Sequence, residues 1–446
     1  MNDKKYGSIV ALGPFRAGKS TLMGHFFLLS AGGLERLDPM RRHWYSLAEP
    51  MGRTHMRYAW ILDSLRSEKE RGFTIDRHYH SFETQSKFYT LFMVPGISKY
   101  ISNLITCVVH SDVALLVVSA IPGEFEQTTQ MCEHALIAFA FGIKRLIVAV
   151  NKMDHDTVNY SHDRFCQIYQ QTVQLLGKNF TAAQMDFVPV SGSIGDNLRE
   201  RSANLPWWEG PTLLEAFDNL KLPNREALAN KPLRITINKT WRIGGVGTVL
   251  CARVESGTLR GSRVVVTTPP QTQIRVKSIE KHHVSQNEAK PGDVVGINIV
   301  GLSWRDVTRG QVLYDPEENA PPSLCQVFKA KVYIVDHPTR IKEGYSPVFY
   351  CQTTKTLGKW TKFHATYDEK TGKEIEVSPQ YLKTGDVAIV TIELAKPRCL
   401  DKWDVLPALG RFIVRDATTV AIGKIIEMAP CPGVGRLTKP AKNSQS

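Results

Sequence analysis

A chain of 446 residues is too long for one ordinary domain, and at roughly 100–200 residues per domain it should hold about two to four. Hydrophobic content of 42% beside 22% charged residues excludes a wholly disordered chain. No apolar run approaches the roughly 18 residues of a membrane span, and the start MNDKKYGSIVALG lacks the apolar stretch of a signal peptide, so a cytoplasmic location is expected. Eight cysteines, at 107, 132, 166, 251, 325, 351, 399 and 431, lie far apart with no Cys-x-x-Cys. That argues for buried thiols in a reducing compartment and against a disulfide framework or zinc site. The 56 Lys+Arg exceed the 43 Asp+Glu by 13. Such a surplus suits a polyanionic partner, nucleic acid foremost, and equally suits plain solubility charge; the number alone does not choose.

In chain order, Ser8–Leu12, Tyr89–Met93, Val113–Ser119, Leu146–Val150 and Phe187–Val190 read as buried parallel strands. Helical spacing lies between them, over Thr21–Ser30 and Gln127–Phe141. This alternation predicts a doubly wound α/β domain over residues 1–224. Past Leu222-Pro223-Asn224 the segments Arg234–Trp241, Thr248–Val254 and Arg263–Thr267 are β-rich, with turn signals at Gly244-Gly245, Gly257 and Gly261. A further break at Ala320-Pro321-Pro322 predicts two small all-β barrels, over 225–320 and 321–430. Residues 431–446 read as a basic flexible tail.

Gly13-Pro14-Phe15-Arg16-Ala17-Gly18-Lys19-Ser20 fits G-x-x-x-x-G-K-[ST] between a predicted strand and a predicted helix that runs on from Thr21. In that setting backbone N–H groups and a helix N-terminus cradle phosphates. Lys19 then reaches the β- and γ-phosphates, and Ser20 offers its hydroxyl to Mg²⁺. Asn151-Lys152-Met153-Asp154 follows another strand end, where open α/β sheets bind ligands. The Asp154 carboxylate can accept from N1–H and N2–H₂ of guanine, whereas adenine would face it with a lone pair. Ser191-Gly192-Ser193, after a third strand, can supply backbone N–H to guanine O6. Together these segments predict a site for GTP and GDP.

Glu70-Arg71-Gly72-Phe73-Thr74-Ile75-Asp76 resembles the first switch of translational GTPases, E-R-G-I-T-I-D. Tyr58-Ala59-Trp60, Asp63, Gly123-Glu124-Phe125-Glu126 and Glu133-His134-Ala135-Leu136 resemble the elongation factor 1-alpha family of eukaryotic and archaeal type. The resemblance runs through Ile243–Val249, Arg253–Gly257, His282-His283, Pro291-Gly292-Asp293 and Val295-Gly296. It continues through Asp336-His337-Pro338, Gly344–Pro347 and Leu409–Asp416, and so spans residues 6 to 428 in order. It implies GTP-dependent delivery of aminoacyl-tRNA to the ribosomal A site, with a guanine nucleotide exchange factor as a further partner. It also implies Thr74 as a second Mg²⁺ ligand, and Glu280, His282 and His283 beside the terminal adenosine of the tRNA. Because neighbours on a strand face opposite ways, the His pair also reads as one core and one surface residue. His78 and His80, which share a strand face, are expected on solvated surface.

The second switch departs from the family. In place of D-A-P-G-H the chain has Met93-Val94-Pro95-Gly96-Ile97, with no Asp or Glu between Glu83 and Asp112 and no His between His80 and His110. Met93 cannot hold the Mg²⁺ water shell, and Ile97 cannot position the attacking water. Arg16 stands where the family's phosphate loop has an Asp, so it either adds positive charge at the phosphates or swings into solvent. Phe15 and Phe73 replace small apolar residues that the family uses to gate its catalytic His. Two readings remain open: an elongation factor with slowed GTP hydrolysis, or a non-hydrolysing paralogue acting as a tRNA- or ribosome-binding switch. A termination or rescue GTPase fits less well, because those carry a long extension before the phosphate loop.

Overall fold

A computed structural model describes residues 4–127, 129–269, 271–282, 284–318 and 320–429. The expected tail and His283 lie outside the described residues. The chain divides into two units between Pro223 and Asn224.

In the first unit the elements follow one another as β1 (Lys5–Leu12), α1 (Lys19–Ala31), α2 (Pro39–Leu47), α3 (Ala59–Leu62), α4 (Arg66–Arg71), β2 (His78–Glu83) and β3 (Lys87–Met93). There follow α5 (Ile101–Val108), β4 (Val113–Ser119), α6 (Thr129–Ala140), β5 (Leu146–Asn151), α7 (His162–Leu176), β6 (Met185–Pro189) and α8 (Leu213–Asn219). The sheet order is β2-β3-β1-β4-β5-β6. The five apolar runs become β1 and β3 to β6, all parallel, and β4 and β5 are buried along their whole length. That continuous burial is what helices on both faces demand. The sheet is mixed, because β2 joins its edge antiparallel to β3, with His78 opposite Met93. Only a tight turn, closed by Thr84 N–H donating to Lys87 O at 2.9 Å, separates these two strands, which leaves no length for a crossover. The core packs Ile9, Leu22, Phe26, Leu91, Leu115, Ile147 and Phe217 between the layers. This order carries every loop that holds a sequence motif to the carboxyl edge of the parallel strands.

The second unit is two antiparallel barrels. In the first, Val264–Thr268, Val312–Tyr314, Arg234–Ile243, Gly247–Ser256, Val294–Val300 and Thr272–Lys281 pair in that order, and a Val264–Thr268 to Thr272–Lys281 pairing closes the ring. The hairpin between Arg234–Ile243 and Gly247–Ser256 turns at Gly244-Gly245, with Gly245 at φ 74°. In the second barrel Val348–Cys351, Arg411–Arg415, Thr419–Met428, Leu324–Ile334, Val387–Cys399 and Thr354–Tyr367 form the ring, closed between the first and last of these. Closure removes the exposed edges that open sheets of this size would present. The interiors are filled by Ile235, Leu250, Val276 and Ile297 in one barrel and by Phe328, Trp360, Phe363 and Phe412 in the other.

Candidate nucleotide site

The turn after β1 is possible only because glycine stands at both ends of the loop. Gly13 has φ 135°, and a Cβ there would lie 2.2 Å from Val117 O; Gly18 has φ 87°, and its Cβ would lie 2.5 Å from Asn151 Nδ2. Gly18 is the N-cap of α1, so the helix N-terminus opens onto the loop. Lys19 curls back, donating from Nζ to Gly13 O at 2.8 Å and to Pro14 O at 2.9 Å. Burial pushes its ammonium down to about 7, which marks a cation short of anionic neighbours. Arg16, at φ 65°, is exposed and holds its guanidinium carbon 5.4 Å from the centre of the Phe15 ring.

Asn151 braces this loop against the one after β6. Its Nδ2 donates to Ala17 O at 2.9 Å, and its Oδ1 accepts from Gly192 N–H at 2.9 Å. Ser191 N–H donates to Asp196 O, so neither Ser191 nor Gly192 keeps a main-chain donor for guanine O6. Asp154 Oδ2 accepts the Ser193 hydroxyl at 2.5 Å, while its Oδ1 is buried with no hydrogen-bond partner. Lys152, at φ 66°, pairs through Nζ with Glu124 Oε2 at 2.6 Å, and the Ser119 hydroxyl donates to the same oxygen. Met153 is wholly buried beneath this loop. His25, on α1, stacks on Tyr58 at 3.9 Å and bonds Gly192 O through Nδ1 at 3.0 Å.

The first switch lies over the same cavity. Ser20 Oγ and Thr74 Oγ1 are 2.9 Å apart, and Thr74 donates to Asp63 Oδ1 at 3.1 Å. Two hydroxyls backed by a carboxylate are hard oxygen donors of the kind Mg²⁺ takes, so the residues fit the ion. Burial and the neighbouring Glu68 push the Asp63 carboxyl up to about 7. Glu68, fully buried, accepts from the N–H of Leu65, Ile75 and Asp76 and from His78 Nε2, all within 3.0 Å. Burial opposes its ionisation, but the His78 contact and the two N–H bonds from Ile75 and Asp76 outweigh it and hold the carboxyl below its usual range. His78 and His80 are therefore not solvated, as the sequence had suggested. His78 is 7% exposed, and His80 contacts Arg41 of α2 through Nδ1 and is pushed down to about 3 by burial. They do share a strand face, but Ser64 and the α4 residue Glu68 cover His78, and Phe27 of α1 and Arg41 of α2 cover His80.

A cavity of about 610 Å³ joins the phosphate loop, the two switches and the Glu124–Lys152 pair, while Asp154 and Ser193 lie outside its lining. Phe15, Lys19, Ser20, Thr74, Gly96 and Lys152 line it, with Arg53 and Arg71 adding positive charge at its wall.

Three family models match the chain: elongation factor Tu GTP binding domain over residues 4–223, elongation factor Tu domain 2 over 247–314, and GTP-eEF1A C-terminal domain-like over 327–426. Elongation factor 1-alpha 1 of Euplotes crassus is 39% identical over 432 residues, covering 96% of each chain. Elongation factor 1-alpha of Ignicoccus hospitalis is 40% identical over 434 residues, covering 96% of this chain and 97% of that one. The chain belongs to the elongation factor 1-alpha family of translational GTPases. In fold it is also similar to the S. cerevisiae Ski7 GTPase-like domain bound to GTP, with a TM-score of 0.74 at 19% identity over 95% of this chain and 97% of that one.

Met93 ends β3 inside the core, 1% exposed, with Val94 and Pro95 also buried behind the phosphate loop. Gly96 sits so close to Lys19 that a Cβ would lie 2.5 Å from Nζ. Ile97 is half-buried at the cavity wall and brings no polar side-chain atom to it. The residues expected at tRNA lie in the other unit: Glu280 is exposed near the end of Thr272–Lys281, and His282 turns at φ 51° just beyond it. Sequence reasoning did not single out His25, Arg53 or Glu68, and it placed Asp63 only as a family match. Glu68 alone carries a local signal, three residues after Leu65 at the start of α4.

Proposed function

We propose that this translational GTPase carries aminoacyl-tRNA to the ribosomal A site as a GTP complex and hydrolyses GTP slowly there. The observation that carries the first half is identity of 39–40% running through both barrels to proteins named elongation factor 1-alpha. The net charge of +13 supports it, since a basic surface gains affinity by displacing counterions from RNA. Glu280, His282 and His283 are the residues proposed for the aminoacyl end, and an exchange factor is the partner that would renew the nucleotide. The three domains proposed for these tasks are residues 1–224, 225–320 and 321–430.

Guanine is read by Asp154, whose unpartnered Oδ1 gives N1–H and N2–H₂ an acceptor. Lys19 and the loop from Gly13 to Thr21 take the phosphates. Mg²⁺ would be held by Ser20 and Thr74, with Asp63 behind Thr74, and would supply positive charge against the β- and γ-phosphates. Slow hydrolysis follows from Ile97, because an aliphatic group neither donates nor accepts a bond to the attacking water. Arg16, if it leaves the Phe15 ring for the γ-phosphate, recovers part of the loss by stabilising charge without orienting the water. The core position of Met93 also favours a second reading, a GTP-dependent switch with no turnover at all.

Tight binding of aminoacyl-tRNA in the GTP state, with weaker binding of uncharged tRNA, is the expected outcome of a gel-shift titration. Equal affinity for both would mark a generic basic surface and end the carrier reading.

A further inference from the structure

Gly192, in the loop after β6, is held from both sides. Its N–H donates to Asn151 Oδ1 at 2.9 Å, and its carbonyl oxygen lies 3.0 Å from His25 Nδ1. A carbonyl only accepts, so Nδ1 carries the proton. His25 is buried on α1, and that burial keeps its pKa below the ordinary histidine value although the Gly192 bond opposes it. Near pH 7 the ring is therefore a neutral donor. Its plane is fixed by Tyr58, which stacks on it with centres 3.9 Å apart and 7° between the planes. Tyr58 is itself braced: the Arg57 guanidinium carbon lies 4.8 Å from its ring centre, and a Cβ on Gly24 would lie 1.9 Å from Tyr58 O. Only glycine at position 24 lets that backbone come so close to α1. On the other side a Cβ on Gly195 would lie 2.8 Å from His25 Cε1, so the loop closes directly on the edge of the ring. The next residue along from Gly192 is Ser193, whose hydroxyl donates to Asp154 Oδ2 at 2.5 Å.

We infer that His25 is a positioning residue for base recognition: by holding the Gly192 carbonyl it fixes the loop from Ser191 to Ser193 and so aims the Asp154 carboxylate at the edge of guanine. The inference rests on the guanine reading of Asp154. Without the Nδ1–H donor the peptide between Gly192 and Ser193 is free to turn, Ser193 leaves Oδ2, and the carboxylate loses its fixed direction. The phosphate loop keeps its own bonds, from Lys19 Nζ to Gly13 O and Pro14 O and from Asn151 Nδ2 to Ala17 O. The loss therefore falls on the base and not on the phosphates.

The test is the equilibrium affinity of the full chain for GDP, IDP and ADP. Hypoxanthine keeps N1–H but lacks N2–H₂, so the ratio of GDP to IDP affinity reports the second bond to Asp154, and the shared diphosphate cancels. His25→Phe keeps a ring on Tyr58 but brings no donor; it should weaken GDP about tenfold and IDP distinctly less, so that the ratio falls. His25→Asn places Nδ2–H close to where the imidazole has Nδ1–H, and should recover most of the loss. An unchanged ratio in His25→Phe, or a His25→Asn chain as weak for GDP as His25→Phe, would overturn the role. Should His25→Phe fail to fold by circular dichroism, His25→Leu takes its place in the comparison with His25→Asn, with the same outcomes expected. An unaltered chain that binds ADP as well as GDP removes the guanine reading and the inference together; preference for GDP with an unchanged ratio in His25→Phe removes the role of His25 alone.

Discussion

Asp154 is poised by one occupied and one open oxygen. Ser193 fixes Oδ2 at 2.5 Å, and the buried Oδ1 has no donor among the described residues. Asp154→Asn exchanges that acceptor for a donor, which should weaken GTP about 10–100-fold, the usual worth of a charge-assisted bond, and shift preference towards xanthosine triphosphate. Competition binding with GTP, XTP and ATP checks it; an unaltered chain that takes ATP within a few-fold of GTP would contradict the guanine assignment. The sequence made this residue legible because N-K-x-D and the phosphate loop are contiguous patterns whose spacing is set by single turns. It did not reveal that the N–H groups of Ser191 and Gly192 are already spent. Those bonds reach Asp196 and Asn151, and a side chain 41 positions away leaves no local trace.

Glu68 shows the same difficulty for a whole element. Its carboxylate gathers Leu65, Ile75, Asp76 and His78 and thereby folds the first switch, although only the Leu65 bond is local enough to read from spacing. Glu68→Gln keeps the shape but turns an N–H₂ towards N–H donors, leaving at least one buried donor unsatisfied at about 1–3 kcal/mol. The amides of Ile75 and Asp76 should then exchange with deuterium faster, while those of β4 and β5 stay protected. Unchanged exchange at both amides would show that the switch is held by something else. The parallel strands β1 and β3 to β6 were readable from their apolar runs, since burial on both faces gives a pattern independent of partners. Strand parity correctly put His78 and His80 on one face, but parity cannot say what covers that face. Here it is α4 over His78 and α1 with α2 over His80.

At the scale of the molecule, Gly-punctuated β segments after Asn224 were enough to read two barrels, because small closed barrels need a turn every few residues. The charge balance left solubility and nucleic acid equally open, and the family resemblance is what tipped it towards tRNA. For the carrier reading, log affinity for aminoacyl-tRNA should fall against log salt with a slope of several units, at about 0.7–0.9 per phosphate contacted. A flat salt response, measured by filter binding, would contradict phosphate contacts made by this basic surface of net charge +13.

The proposed guanine site lies beside a second switch in which Ile97 brings no polar side-chain atom to the cavity. Single-turnover GTP hydrolysis on programmed ribosomes with aminoacyl-tRNA, comparing the unaltered chain with Ile97→His, tests the two together. Losing one transition-state hydrogen bond costs about 10²–10³ in rate, so slow hydrolysis rescued by a comparable factor in Ile97→His is the predicted result. Phe15 and Phe73, whose rings touch at the cavity wall, have to be trimmed in the same variant if the new imidazole is to enter. Fast hydrolysis by the unaltered chain, undiminished in Arg16→Ala, would contradict the account, because neither Ile97 nor Arg16 would then decide the rate.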